Sequence, residues 1–332
     1  MPDLDTFSLF VFDINTMNWH VHSLRIIFPK YFRASKIPAK ECHSRRLRLP
    51  GCEGVSYNRP SLEVRSLRRR AELVVDFLTL CEKAAQAGAQ TLVDWIGRFQ
   101  VHEKGPADLV TEADSASQEA IRRVLMAAVP DHGFVGEEGA EPVNAEAEYC
   151  WVADPLDGTT NYVHQVPHYA VSLALVHRGR PIVGVVLDPI NQETYSAARG
   201  QGAFLNGKAM HTSDVRDLSQ ALVAASFSAR VAADSPEIDQ FTAVLLNCQA
   251  VRRTGSAALN LAYVAAGRFD GFWAQSTKSW DVAAGVLLVE EAGGVVTQLD
   301  GEPFDLKVPH PVASANPELH ANFRALLFNA RR

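Results

Sequence analysis

The chain has 332 residues, enough for one large domain or two ordinary ones, and 47% of them are hydrophobic, so a full core can be buried. No apolar run approaches the roughly 20 residues of a membrane span, and a net charge of −6 argues against a broadly basic nucleic-acid binder. Residues 1–70 are basic (13 Lys and Arg against 6 Asp and Glu), which leaves an acidic remainder, as suits a protein that gathers carboxylates around cations.

Residues 1–66 read as an atypical N-terminal extension. Aromatics are scattered (Phe7, Phe10, Phe12, Trp19, Phe28), a basic stretch follows (Arg45, Arg46, Arg48), and no sustained helical or strand period emerges. An early basic region followed by an apolar run, the mark of a secretory signal, is missing. Three readings stay open: a mis-assigned translation start that makes these residues non-native, a disordered tail, and a targeting or partner-binding extension.

Residues 67–330 read as one further domain. Leu73, Phe77, Leu80, Ala84, Ala87 and Thr91 recur at three and four, which predicts a long helix ending near Gly97. A loop is expected from His102 to Asp108. Thr111-Glu-Ala-Asp114 is a capping-box-like start, and the helix after it stops at Pro130. Phe134-Val135 is a short strand, and Tyr149–Ala153 a buried one. Ala170–Val176 and Ile182–Leu187 form a hairpin around Arg178-Gly179. A strand near Thr194–Ala197 and a Gly-rich turn, Gly200–Gly207, follow. Helices are expected over 256–266 and 281–292, the second closed by Gly293-Gly294, with a strand at Val295–Gln298. Hairpins and helices interleave, so the class is α/β in layers, or α+β. Five scattered cysteines (Cys42, Cys52, Cys81, Cys150, Cys248) without a Cys-x-x-Cys pair fit free thiols in a reducing cytoplasm.

Three segments concentrate acids beside Gly, Thr and apolar residues: Phe134–Gly139 with Glu137 and Glu138, Trp151–Asn161 with Asp154 and Asp157, and Ser279–Gly285 with Asp281. In the middle one, a buried strand delivers Asp154, Pro155 turns the chain, and Asp157 returns three residues later. Two carboxylates on a tight turn can share divalent cations, with the Leu156 carbonyl as a further ligand; Mg²⁺ takes such hard oxygens at about 2.0–2.1 Å. Gly158 allows close backbone approach, and Gly158-Thr159-Thr160 can aim N–H groups at a phosphate as a helix N-terminus does. Each segment also has a plain structural reading. Asp281 can simply cap a helix, where the dipole favours it by about 0.3–1 kcal/mol. Glu137-Glu138 can be a solvated loop, and Asp154–Gly158 a bare turn. The three together favour a metal centre.

These residues also resemble a known family. Asp154-Pro-Leu-Asp157-Gly-Thr-Thr-Asn161 is similar to the inositol monophosphatase signature Asp-Pro-(Ile/Leu)-Asp-Gly-Thr-Thr-Asn. Trp280-Asp281-Val-Ala-Ala-Gly285 resembles its second motif. Gly136-Glu-Glu138, Asp108-Leu-Val-Thr111-Glu-Ala-Asp114 with Lys104 upstream, and Gly200-Gln-Gly-Ala-Phe-Leu-Asn-Gly207 match in order. The match runs from about Ala71 to Leu327 and leaves residues 1–66 outside.

The resemblance implies a layered αβαβα sandwich of the inositol monophosphatase and fructose-1,6-bisphosphatase type, a homodimer, two or three Mg²⁺ ions and inhibition by Li⁺. By motif, Glu137, Asp154, the Leu156 carbonyl, Asp157 and Asp281 resemble metal ligands. Asp114 and Thr159, with Glu137, resemble the group that orients the attacking water, and Lys104 resembles a residue near a weaker third metal. Gly158 and Thr159 would hold the phosphate. Gly255, Ser256 and Ala257 fall in a segment that lines the alcohol site. The expected activity is a cytoplasmic, Mg²⁺-dependent hydrolysis of a small phosphorylated alcohol, foremost inositol 1-phosphate. Histidinol phosphatase and fructose-1,6-bisphosphatase activities are alternatives, and a regulatory protein that binds RNA or the transcription machinery is the alternative of another class. No membrane association is expected, and nucleic acid is a disfavoured partner. One departure stands out: where many members carry a Glu seven residues before the second-motif Asp, this chain has Ala274, then Gln275, with Lys278 close behind.

Overall fold

The computed structural model describes residues 8–13, 18–23, 62–105, 108–139 and 142–330. Its contacts divide the chain into two units between Arg59 and Pro60. In the first unit, β1 (Ser8–Asp13) and β2 (Asn18–Ser23) pair antiparallel, with Phe10 opposite Val21 and Phe12 opposite Trp19. Strands of six residues are too short for their period to stand out among scattered aromatics. The rest of the expected extension up to Ser61 lies outside the described residues.

The second unit opens with α1 (Leu62–Trp95), whose first residues fall within the 1–66 span read as an extension. Next, β3 (Val101–Gly105) and β4 (Asp108–Thr111) pair antiparallel where a plain loop was expected. The Gly105-Pro106 turn signal masked the short strands that flank it. Then come α2 (Glu112–Ala128), β5 (Gly133–Gly136), β6 (Tyr149–Asp157), α3 (Thr159–Val163), β7 (Ala170–His177), β8 (Arg180–Asp188), β9 (Glu193–Ala198), β10 (Ala203–Leu205) and β11 (Lys208–Met210). The second half contains β12 (Leu222–Ser226), α4 (Pro236–Asn247), β13 (Ala250–Arg252), α5 (Ala257–Ala265), β14 (Gly271–Ala274), α6 (Ser279–Glu291), β15 (Val295–Thr297), β16 (Val312–Ser314) and α7 (Pro317–Asn329).

Seven strands form one sheet in the order β11-β10-β9-β8-β7-β6-β5, antiparallel except where β5 runs parallel to β6. Five form the other, β13-β12-β14-β16-β15, whose first three strands are parallel. Helices α1 and α2 cover one face of the larger sheet. Helices α5 and α6 lie between the sheets, and α4 and α7 cover the far face of the smaller one. This is the layered αβαβα sandwich that the motifs implied.

Position in the sandwich explains composition. Helix α6 is apolar all round, with Val282 through Val289 buried, because a sheet or helix faces every side of it. Its Ala-Ala-Gly run permits the close approach. A Cβ on Gly184 of β8 would come within 2.9 Å of the Ala284 Cα, and one on Gly285 would reach 2.5 Å from the Leu261 Cβ on α5. By contrast, α1 and α2 bury one stripe each, with Cys81, Ala84, Ala85, Leu92, Ile121 and Leu125 against Trp151 and Leu173.

Candidate active site

The site sits where β5 and β6 end and α6 begins. Strand β5 delivers Glu137, whose N–H donates to the Ala153 carbonyl at 3.1 Å and so prolongs the parallel pairing by one residue. Strand β6 delivers Asp154 and Asp157. In a regular strand, residues three apart face opposite sides. Here the ladder with β7 is irregular between Asp154 and Asp157, at Pro155, which has no N–H to donate. That irregularity resets the alternation. The Asp154 carboxylate folds back to accept from the Leu156 N–H at 2.9 Å, which fixes the turn.

Asp281 is the third residue of α6. Its Oδ2 accepts from the Lys278 N–H at 2.8 Å, so the capping role weighed from the sequence is present. The same side chain also faces the site: oxygens of Glu137, Asp154 and Asp281 lie within 4.8 Å of one another, the cation-type cluster found among the described residues. Ser172 on β7 anchors the start of α6 by donating to the Trp280 carbonyl at 3.0 Å.

Asp157 lies beside this triad and is held differently. It accepts from the Ser256 hydroxyl, from the Ala257 N–H at 3.2 Å and from the Ala258 N–H at 2.7 Å. It therefore ties the end of β6 to the N-terminus of α5, where its charge is favoured by the helix dipole. Ser256 also caps α5, accepting from the Leu259 N–H at 3.2 Å. The expected segment Gly255, Ser256 and Ala257 thus borders the site through Asp157. Asn161 donates to the carbonyls of His168 and Thr254, at 2.7 and 2.8 Å. A side chain on Gly255, at φ +91°, would strike Asn161.

On the other side, the Thr111 N–H donates to Asp114 Oδ2, and the Thr111 hydroxyl caps α2, so the predicted capping box is formed. The Thr159 hydroxyl lies 3.3 Å from Asp114 Oδ1 and 3.1 Å from the Leu156 carbonyl, so Asp114, Leu156 and Thr159 meet as expected. Gly158 takes φ +99° as the N-cap of the five-residue α3. Lys104 lies on β3; its side chain is outside the described residues.

Concentrated like charge shapes the electrostatics. Burial, then the charges of Glu137, Asp157 and Asp281, hold the Asp154 carboxyl well above the usual carboxylate range. Burial pushes Asp281 up to about 8, helped by Asp157 and Glu137 against the bond from the Lys278 N–H. Burial lifts Asp157 to about 6, opposed by the donors on α5. Carboxylates crowded in this way stay ionised at neutral pH when a cation neutralises them. The donors are all hard oxygens, the set suited to Mg²⁺. The residues present fit that ion.

The Gly-rich turn has a different task. The N–H groups of Gly200 and Gly202 donate to the two carboxylate oxygens of Glu291, at 2.8 and 2.9 Å, which clips the turn to the end of α6. Sequence reasoning missed this pairing, and it also missed Ser117 and Gln118 on α2, which bond the backbone of the two acid-bearing segments. The signal for Ser256 was available, as Ser before an apolar helix is a cap pattern.

Comparison with known proteins agrees with this geometry. The family model described as the inositol monophosphatase family matches residues 75–331. The Nus factor SuhB of Pseudomonas aeruginosa is 42% identical over 244 residues, 71% of this chain and 90% of that protein. An inositol-1-monophosphatase of Rhizobium meliloti is 43% identical over 207 residues, covering 62% and 78%. Among solved structures, the extragenic suppressor protein suhB from Bartonella henselae superposes with a TM-score of 0.72 at 36% identity, covering 76% of this chain and 98% of that one. The inositol monophosphatase from Anabaena superposes with a TM-score of 0.69 at 36% identity, covering 77% and 96%. Motifs, layered fold and site geometry coincide with these matches, and the chain belongs to the inositol monophosphatase family.

Proposed function

We propose that this protein is a Mg²⁺-dependent phosphomonoesterase whose substrate is inositol 1-phosphate, acting as a cytoplasmic homodimer. The observation that carries the reading is the convergence of Glu137, Asp154 and Asp281 from three separate segments, with Asp157 alongside. Burying like charges together is unfavourable unless a cation is the point of the arrangement.

Phosphate-ester hydrolysis asks mainly for positioning and charge neutralisation. Glu137, Asp154, Asp281, Asp157 and the Leu156 carbonyl would hold Mg²⁺, which when bound would supply the positive charge that favours an in-line displacement. The chain's own residues do the rest. Asp114 accepts a hydrogen bond from the Thr159 hydroxyl, so the Thr159 oxygen keeps lone pairs to receive a hydrogen bond from the attacking water. Glu137 helps orient that water. The N–H groups that open α3 at Gly158 and Thr159 bind phosphate oxygens. No side chain acts as a covalent nucleophile.

The alcohol side motivates a broader substrate panel. Ala274 ends β14 as a buried methyl group and supplies no acceptor for a polyol hydroxyl, and the Gln275 amide nitrogen donates to Gln240. Lys278 is exposed beside Asp281. Histidinol phosphate and fructose 1,6-bisphosphate therefore belong in the assay with inositol 1-phosphate and glycerol 2-phosphate. Phosphate release is measured as Mg²⁺ is titrated. Preference for inositol 1-phosphate supports the proposal in full, whereas faster turnover of another ester keeps the chemistry and moves the substrate. Absence of turnover for every ester, with metal bound, sinks the enzymatic reading. It would favour the rival suggested by the Nus factor name of several relatives, which RNA binding at low salt, with and without residues 1–66, then tests.

A further inference from the structure

We infer that Ser117 and Gln118 on α2 are positioning residues for the metal centre. They set the spacing between the loop that carries Glu137 and the end of β6 that carries Asp154 and Asp157. The inference rests on the assignment of those carboxylates as metal ligands.

Helix α2 touches the site at three points along one buried face. Asp114 meets Thr159, as described. One turn later, the Ser117 hydroxyl donates to the Pro155 carbonyl at 3.1 Å, between Asp154 and Leu156. Its neighbour Gln118 clamps the loop after β5: its Nε2 donates to the Glu138 carbonyl at 2.6 Å, and its Oε1 accepts from the Glu138 N–H at 2.9 Å. The Gln118 amide therefore pairs with the Glu138 backbone as a neighbouring strand would. Both residues are buried, at 0% and 5% exposure, so water cannot substitute for either partner. Gly136 is part of the device. A Cβ there would collide with the Gln118 carboxamide, so the glycine lets the amide lie flat against the end of β5.

The spacing matters because β5 and β6 share ladder bonds only up to Ala153 and Glu137. Beyond that point β5 has ended while β6 continues to Asp157, and the like charges on Glu137, Asp154 and Asp157 repel one another. Adjacent residues of one helix, Ser117 bonded to the end of β6 and Gln118 to the loop after β5, oppose that repulsion before any cation arrives. Residues that orient metal ligands in this way typically change metal affinity by 10–100-fold when removed.

The test uses Mn²⁺ as a spectroscopic substitute for Mg²⁺, with binding read directly by paramagnetic resonance on the full chain, alongside thermal melting without metal. Gln118→Leu keeps the size of the side chain and removes both bonds. It is expected to weaken Mn²⁺ binding about 10–100-fold, and to raise the Mg²⁺ concentration for half-maximal turnover in parallel while kcat at saturation changes by less than about fivefold. Ser117→Ala, a gentler change that keeps the proposal testable if the first variant does not fold, is expected to weaken binding by about 3–10-fold. Gln240→Leu is the stability control, since Gln240 is fully buried and bonds the Leu327 carbonyl, at 3.1 Å, and Gln275, neither of them a proposed metal ligand. If Ser117→Ala and Gln118→Leu lower the melting temperature as Gln240→Leu does but bind Mn²⁺ like the parent, the inference is overturned. Asp154→Asn separates the two levels of the argument. Loss of binding there with normal binding in the α2 variants refutes the positioning role alone. Unchanged binding in Asp154→Asn refutes the metal assignment and the inference together.

Discussion

The acidic crevice and the Gly-rich turn sit near opposite ends of α6, and each brings carboxylate oxygens close to backbone N–H groups. In the turn, a single carboxylate, Glu291, meets two N–H donors from Gly200 and Gly202. Its charge is matched within the protein. In the crevice, Asp154 and Asp281 are raised well above their ordinary values because burial and neighbouring acids outweigh the donors present. Both segments carry equally recognisable motifs. The difference teaches that motif strength does not separate a structural clip from a reactive site; the balance of charge against donors does.

The comparison is broken most severely at Asp281. Asp281→Asn keeps an oxygen for the Lys278 N–H but removes a charge from the crevice. Turnover at saturating Mg²⁺ should fall by at least ~100-fold, a loss of roughly 3 kcal/mol of transition-state stabilisation. Without metal, the same variant should melt at a higher temperature than the parent. A variant that kept its activity, or lost stability without metal, would remove the contrast between the two regions.

The pH profile of the metal-free protein sharpens the same point. A carboxyl raised from 3.8 to about 8 in the folded state holds its proton more tightly there than in the unfolded chain. Stability is then complete below about pH 4 for this group and is lost as pH rises toward 8, by up to ~1.4 kcal/mol per pH unit. Urea titrations from pH 5 to pH 8 in a chelator should show that slope. Asp281→Asn should flatten it, and saturating Mg²⁺ should reverse it.

Packing comes next. Gly285→Ala lies in the same motif as Asp281, but it places a methyl group against Leu261. It should cost about 1–3 kcal/mol of stability, measured by denaturant unfolding, with little change in Mg²⁺ affinity. The smallest effect belongs to the clip. Glu291→Ala should cost about 0.5–1.5 kcal/mol by removing the acceptor of two partly exposed N–H groups, and turnover should stay within about twofold.

Much of the fold was legible because its elements announce themselves locally. The long period of α1, the capping box at Thr111, the hairpin at Arg178-Gly179 and the double glycine after α6 are all read from neighbours in sequence. The hairpin of β3 and β4 was not, because its turn residues outweighed two short strands. In the site, Glu137, Asp154 and Asp281 were identified by their motifs, and Asp281 proved to be both cap and cluster member. The grip of Ser256, Ala257 and Ala258 on Asp157 joins segments about a hundred residues apart, and no local pattern reports such a partner. Gln118 was invisible for a related reason. A glutamine on a buried helix face looks like an ordinary interior polar residue until the backbone it bonds is located.

Helix α6 lies between the two sheets and brings Asp281 to acids that precede it by more than a hundred residues. The crevice therefore closes only when distant parts of the chain have already met, late in a folding reaction dominated by non-local contacts. A cation that recognises the finished arrangement has nothing comparable to hold beforehand. Its effect should fall on the unfolding rate, with the metal-loaded protein opening more slowly while refolding proceeds at nearly the metal-free pace. The acids that strain the empty fold would then make the loaded one kinetically durable.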